Sequence, residues 1–179
     1  MEDISLHILD IAENSVNAGA KKVEVSIKED KAADRFTLRI EDDGKGITAK
    51  KIADPYFTGK TGKKFGLGIP LLAQAARECD GRISIDSRKP RGTSITADFR
   101  MSHADMKPLG DVGSTIAVLA CGHPETDFMV RYERDGSEFS LDTGQLREKL
   151  GGVPLFAPMV FKYIKDEINE GIRRTRDEG

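Results

Sequence analysis

The chain has 179 residues, 30 acidic and 28 basic side chains, a net charge of −2 and no tryptophan. That length suits one domain, or one domain with an appendage, and leaves room for a proper core. The balanced charge gives no general attraction to nucleic acid or to an anionic membrane, and no apolar run approaches membrane-spanning length. Cys79 and Cys121 stand far apart without metal-ligand spacing and read as small, reduced core residues of a cytoplasmic protein. The acidic start Met1-Glu2-Asp3 does not read as a signal peptide.

The first predicted element is a helix over residues 3–18. At about 100° per residue, Asp3, Asp10, Asn14 and Asn17 share one narrow stripe. Ile4, Ile8, Leu9, Ile11, Ala12 and Val16 collect opposite them as the buried face, and Leu6 breaks the pattern. A polar stripe is ordinarily a solvated face. Two asparagines inside a helix argue for more, because their side chains compete for backbone hydrogen bonds.

Gly19 suits a helix C-cap, and Val23, Val25 and Ile27 alternate as a half-buried strand. A polar turn at 30–34 leads to a second alternating strand, Phe36, Leu38 and Ile40, the pair forming a hairpin. This strand runs into Asp42-Asp43-Gly44-Lys45-Gly46-Ile47, after which Thr48 caps a short helix over 48–53. Residues 54–66 carry turn formers and three lysines without a period, which predicts a mobile functional loop. A helix over 67–79 follows, with Pro70 in its first turn, and then strands over 82–87 and 93–99.

Residues 101–110 read as a connector. Val112, Ile116 and Leu119 have helical spacing after Asp111, although the run 115–120 also fits a strand. A hairpin is predicted over 127–141 around Asp135-Gly136, followed by a helix capped by Asp142 and a last amphipathic helix from Pro158 to about Arg176. Met159, Ile164, Ile168 and Ile172 mark its expected core face, and no internal repeat is visible.

Taken in order, these motifs resemble the GHKL superfamily of ATP-binding domains, the Bergerat-type fold of gyrase B, the heat-shock chaperone, sensor histidine kinases and the mismatch-repair ATPase. Asp10–Ala20 resembles the asparagine box, Asp42–Ile47 the first glycine box, and Asp54–Lys60 the phenylalanine motif of histidine kinases. Gly66-Leu67-Gly68-Ile69 resembles the second glycine box and Arg91-Gly92-Thr93 the last. The resemblance covers roughly residues 1–100 and implies an α/β two-layer sandwich, a mixed sheet with helices on one face. Residues 101–179 would form a C-terminal α/β extension packed on the same domain.

The resemblance also implies roles. Asn14 would be the side-chain ligand of Mg²⁺, a hard cation that otherwise keeps phosphate and water oxygens. Asp42 would accept from the adenine amino group of ATP, with Gly44, Gly46 and Ile47 in the turn beside it and Thr93 completing the contact directly or through water. Phe57 and Lys60 would belong to a lid, and Gly66, Leu67 and Gly68 would offer amides to phosphates, as glycine-rich turns at helix starts do. Asn17 would be a further polar group on the phosphate side. Hydrolytic members carry glutamate where Asp10 stands, so Asp10 would be the general base with one methylene less reach, and Glu13 a second choice. A second departure is Lys64, which stands where histidine kinases often have a glycine and adds charge next to the triphosphate.

Three functions follow from the resemblance: a weak ATPase acting as an ATP-driven switch, a kinase acting in trans on a protein histidine or serine, and a nucleotide sensor without turnover. No phosphoacceptor helix precedes residue 1, so a self-contained two-component kinase is not expected. His7, His103 and His123 read as structural or surface groups. Residues 101–179 carry no chemical motif and are expected to serve a protein partner or self-association, with no nucleic acid or membrane involved.

Overall fold

The computed structural model describes residues 2–46, 68–87 and 92–179. The short helix expected over 48–53 and the loop over 54–66 lie outside them. Helix α1, Ile4–Asn17, starts where the extended Asp3 accepts a hydrogen bond from the Leu6 amide at 3.1 Å and one from the Ser5 hydroxyl at 2.7 Å. It ends in a Schellman turn: Gly19, at φ +80°, donates to the Val16 carbonyl at 2.8 Å, and Ala20 donates to Ser15 at 3.1 Å.

Strands β1 (Lys22–Asp30) and β2 (Arg35–Asp42) pair antiparallel, with Val25 opposite Ile40. Helix α2, Gly68–Glu78, leads to β3 (Arg82–Ser87) and β4 (Thr93–Arg100). The run from 112 that fitted either a helix or a strand is helix α3, Val112–Gly122, capped by Asp111, whose carboxylate accepts from the Ser114 amide at 2.8 Å. Strands β5 (Asp127–Arg134) and β6 (Ser137–Asp142) form the expected hairpin, with Asp135 at φ 47° and Gly136 at φ 96° in a two-residue turn. Asp142 caps α4, Thr143–Lys149, and α5 runs from Pro158 to Glu178.

The six strands lie in the order β3-β4-β2-β1-β5-β6. The β1–β5 pairing is parallel and the other four are antiparallel, so the sheet is mixed. Val25, Ile40, Ile95 and Val130 are matched across neighbouring strands and point to one buried face, where α1, α2, α3 and α5 pack. The alternate residues, such as Lys28, Arg39 and Arg131, are exposed on the other face. The result is a two-layer α/β sandwich. Residues past 101 share its sheet, because β5 hydrogen-bonds along β1 from Lys22 to Glu29.

One core position differs from expectation. Met159 is 73% exposed, and the buried row of α5 is Val160, Ile164, Ile168, Ile172 and Thr175. Val160 keeps the four-residue step from Ile164 that Met159 misses, so it takes the inward position. Near the C-terminal end, α5 is tied to the sheet by ions: buried Glu29 accepts from Arg134 at 3.0 Å and also from Arg176. Arg176 in turn donates to the Tyr132 hydroxyl at 2.9 Å.

Burial disfavours the Tyr132 phenolate and pushes its pKa up to about 12, above the ordinary value of about 10. The folded protein keeps a proton that the unfolded chain sheds, so this contribution is intact below about pH 10 and is lost as the pH rises through about 12. Urea midpoints should therefore fall less steeply across that window in Tyr132→Phe than in the wild type. Parallel profiles would show that Tyr132 contributes nothing to the loss.

Candidate active site

The site forms where the C-terminal half of α1 meets the ends of β2 and β4. Asp42, the last residue of β2, has both carboxylate oxygens held. Oδ2 accepts from the Ser15 hydroxyl at 2.9 Å and Oδ1 from the Gly44 amide at 2.9 Å. Ser15 is 4% exposed on the face of α1 that packs against the sheet. Its hydroxyl also lies 3.2 Å from the Ile11 carbonyl, the longer of its two contacts.

The turn after Asp42 wraps the end of α1. Asp43 accepts from the amides of Lys21 at 2.7 Å and Lys22 at 2.9 Å, which fixes the α1–β1 connection. The Lys45 amide donates to the Ala18 carbonyl at 3.2 Å, and Gly46 takes φ 68°. Gly44 is buried, and a Cβ there would lie 3.0 Å from Asp42 Oδ1 and 3.2 Å from the Ala18 carbonyl oxygen. On the other side Thr93 sits opposite Asp42 in the β2–β4 register. Gly92, at φ +87°, allows this approach, since a Cβ there would fall 1.8 Å from the Asp42 carbonyl oxygen. Thr93 is buried with its hydroxyl 3.1 Å from that of Ser87, so its hydroxyl is engaged with β3.

Asp10 and Asn14 are half-buried, one helical turn apart, and neither side chain has a hydrogen-bond partner among the described residues. Asn17 is exposed on the last turn. Asp10 lies against the start of α2, where a Cβ on Gly68 would be 2.9 Å from Asp10 Cβ and 3.3 Å from Oδ2. Asp3, on the same stripe by sequence, is taken up by capping α1. Glu13 points elsewhere, 3.1 Å from His123 Nε2 at the end of α3. His7 is 2% exposed, its Nδ1 has no hydrogen-bond partner among the described residues, and burial lowers its pKa.

Of the residues singled out by sequence, Asp10, Asn14, Asp42, Gly44, Gly46, Gly68 and Thr93 gather around this end of the sheet, with Asn17 at its rim. Ile47, Phe57, Lys60, Lys64, Gly66 and Leu67 lie outside the described residues. Sequence reasoning missed Ser15 and Asp43. Ser15 carried a signal, a hydroxyl one turn after Ile11 and Ala12 on the buried face of α1. Asp43 carried none, since its partners are backbone amides.

The family model of histidine kinase-, DNA gyrase B- and HSP90-like ATPases matches residues 2–103, more than half of the chain. The chain belongs to this ATPase family. Among relatives, the sensor histidine kinase YxdK of Bacillus subtilis is 33% identical over 73 residues, covering 37% of this chain and 22% of that one. Sporulation kinase C of the same organism is 30% identical over 88 residues, covering 48% and 20%. The chain thus spans about a fifth of the length of these relatives.

The ATPase fold is seen again in two solved structures. The Aquifex aeolicus MutL ATPase domain complexed with ADP superposes with a TM-score of 0.53 at 19% identity, over 84% of this chain and 68% of that one. The N-terminal domain of a DNA repair protein gives 0.55 at 13% identity, over 78% and 52%. No helix among the described residues is long and apolar enough to cross a membrane.

Ser15→Ala removes a buried donor and leaves Asp42 Oδ2 without that partner. The loss of a hydrogen bond to a charged group is expected to lower unfolding stability by about 1.5–3 kcal/mol. Urea unfolding checks this, and a change below about 0.5 kcal/mol would mean that water replaces the hydroxyl at no cost.

Proposed function

We propose that this protein binds ATP with Mg²⁺ and hydrolyses it slowly, acting as an ATP-driven switch for a protein partner. The observation that carries the reading is the Asp42 carboxylate, held at both oxygens by Ser15 and Gly44 beside Thr93. A carboxylate is an acceptor with about four lone-pair sites, and Ser15 and Gly44 occupy two. The remaining sites suit an amino group, as adenine presents, and repel the carbonyl that guanine carries at that position. Gly44 and Gly46 let the base approach the backbone, and Asn17 lies toward the phosphates.

Asn14 fits the metal. It is a lone amide oxygen without a protein partner among the described residues, and these residues hold no cluster of three His, Cys, Asp or Glu side chains. That suits Mg²⁺, which takes one or two protein oxygens and keeps phosphate and water for the rest. The bound ion would offset the charge of the β- and γ-phosphates. Asp10, one turn earlier on the same face, accepts the proton of a water whose oxygen bonds to the γ-phosphorus. The bond from that phosphorus to the β–γ bridging oxygen breaks, and its electron pair leaves with ADP. Ile47, Phe57, Lys60, Gly66 and Leu67 complete the nucleotide site in this reading, and the extension over 101–179 offers the partner surface.

Transfer of the phosphoryl group to a protein is the second reading, favoured by the kinases among the relatives. A carboxylate at position 10, suited to activating water, favours hydrolysis. Incubation with γ-labelled ATP, with and without cell extract, separates them: released phosphate supports hydrolysis, a labelled protein supports transfer, and binding without either supports a sensor.

Two variants test the assigned roles. Asp42→Asn should weaken ATP binding about ten- to a hundredfold, the cost of a charged hydrogen bond, and calorimetry showing wild-type affinity would remove Asp42 from the site. Asp10→Asn should keep ATP affinity within a few fold while turnover falls by about 10²–10⁴, the usual worth of a general base. Turnover at the wild-type rate would make Asp10 structural.

A further inference from the structure

We infer that Gly68 is a positioning residue for Asp10, and that its missing side chain is required by that carboxylate's own helix. The inference rests on the hydrolytic reading of Asp10. The first residue of α2 closes on the middle of α1 so tightly that a Cβ at position 68 would stand 2.9 Å from Asp10 Cβ, 3.3 Å from its Oδ2 and 3.6 Å from its Cγ. Real Cβ contacts do not reach the first of these distances, and Cβ is the one side-chain atom that no rotamer change can move. Relief must come from a shift of one helix against the other.

The direction of such a shift matters. Asp10 shares its helix with Asn14 and with Ser15, which holds Asp42. Ile11 and Ala12, beside Asp10, are buried against the sheet, so α1 is fixed from below. α2 is fixed less firmly at its start, where the buried Gly68 carries no side chain, Ile69, Pro70 and Leu71 are only half-buried, and the first buried side chain is that of Leu72. A methyl at position 68 therefore lifts the first turn of α2 off Asp10. It removes the wall against which the carboxylate rests, and leaves Asn14 and Asp42 in place. An aspartate has one methylene less than a glutamate to correct its aim, so a base with this short reach depends on its wall.

The expected signs oppose ordinary helix chemistry. Gly→Ala within a helix normally stabilises, and here would raise Tm by about 2 °C if nothing touched the new methyl. Gly68→Ala is expected instead to lower Tm by about 4 °C or more in the wild-type background. In an Asp10→Gly background, where the opposing Cβ is gone, the same change should cost nothing or stabilise. Turnover of Gly68→Ala, measured at saturating ATP and Mg²⁺ so that any change in affinity drops out, should fall at least about tenfold. Gly68→Ala combined with Asp10→Asn should turn over no more slowly than Asp10→Asn alone.

Equal Tm shifts in the two backgrounds, or a stabilised Gly68→Ala, would overturn the contact. A Gly68→Ala protein with normal kcat and weakened ATP binding would overturn the positioning role and leave Gly68 as a point of close phosphate approach. A wild type that binds ATP without turning it over would overturn the hydrolytic reading, and the melting cycle would then still decide the Gly68–Asp10 contact on its own.

Discussion

The bond between the Ser15 hydroxyl and the Asp42 carboxylate joins the two layers of the sandwich at the point where the chemistry is placed. It crosses from α1 to the end of β2, 27 residues away, in a region where apolar packing alone would leave rotation of the helix undetermined. Ile4, Ile8, Ile11 and Ala12 press the helix on the sheet, but they are interchangeable as grease. A directional bond between a buried hydroxyl and a charge is not, because leaving the carboxylate unpaired there costs more than the bond itself returns. With Ser15 locked to Asp42, Asn14 and Asp10 are fixed by the helix geometry, one residue and one turn away.

The turn from 42 to 46 then works as a collar. Asp43 holds the backbone where α1 passes into β1, and Lys45 reaches the Ala18 carbonyl left open at the helix end. The same segment thus closes a helix, starts a strand and presents Asp42. Such multiple use explains why glycines sit at 44 and 92: the backbone must pass close to Asp42 on both sides, and a side chain at either place meets it. Farther along the sheet, β5 lies parallel to β1 and gives that central strand its second neighbour. α3 and α5 cover the added strands, and the Glu29–Arg176–Tyr132 contacts fasten the last helix to them. The extension is therefore continuous with the layer that carries the site.

How much of this was legible in the sequence depended on whether a residue's role shows in a period. The two faces of α1 and the alternation of β1, β2, β4 and β5 were readable, since burial on one side writes itself into spacing. α3 was ambiguous for the opposite reason. It is packed between α1 and α5 as well as over the sheet, so Val112, Ile116, Ala117, Leu119 and Ala120 are all buried and its apolar residues run nearly all round. The parallel match of β5 with β1 was not readable, because alternation tells which face is buried and says nothing of the neighbour. Met159 and Val160 show the limit at a helix start, where one residue's difference in phase decides which apolar side chain turns inward.

At the site itself, the residues that would touch a ligand were more legible than those that hold them. Asp10, Asn14 and Asp42 are chemically unusual where they stand, and a sequence reader notices them. Ser15 is small and common, and Gly68 was noticed only as part of a glycine turn and not for its contact with Asp10; the meaning of both lies in a distance to something far along the chain. Ser15 is placed by a hydrogen bond and Gly68 by a gap. Both act on the same helix from opposite sides, one pulling α1 to the strand end and the other letting α2 close over it. The precision of the site thus comes from residues whose own chemistry is nearly mute, and only the packed structure makes them readable.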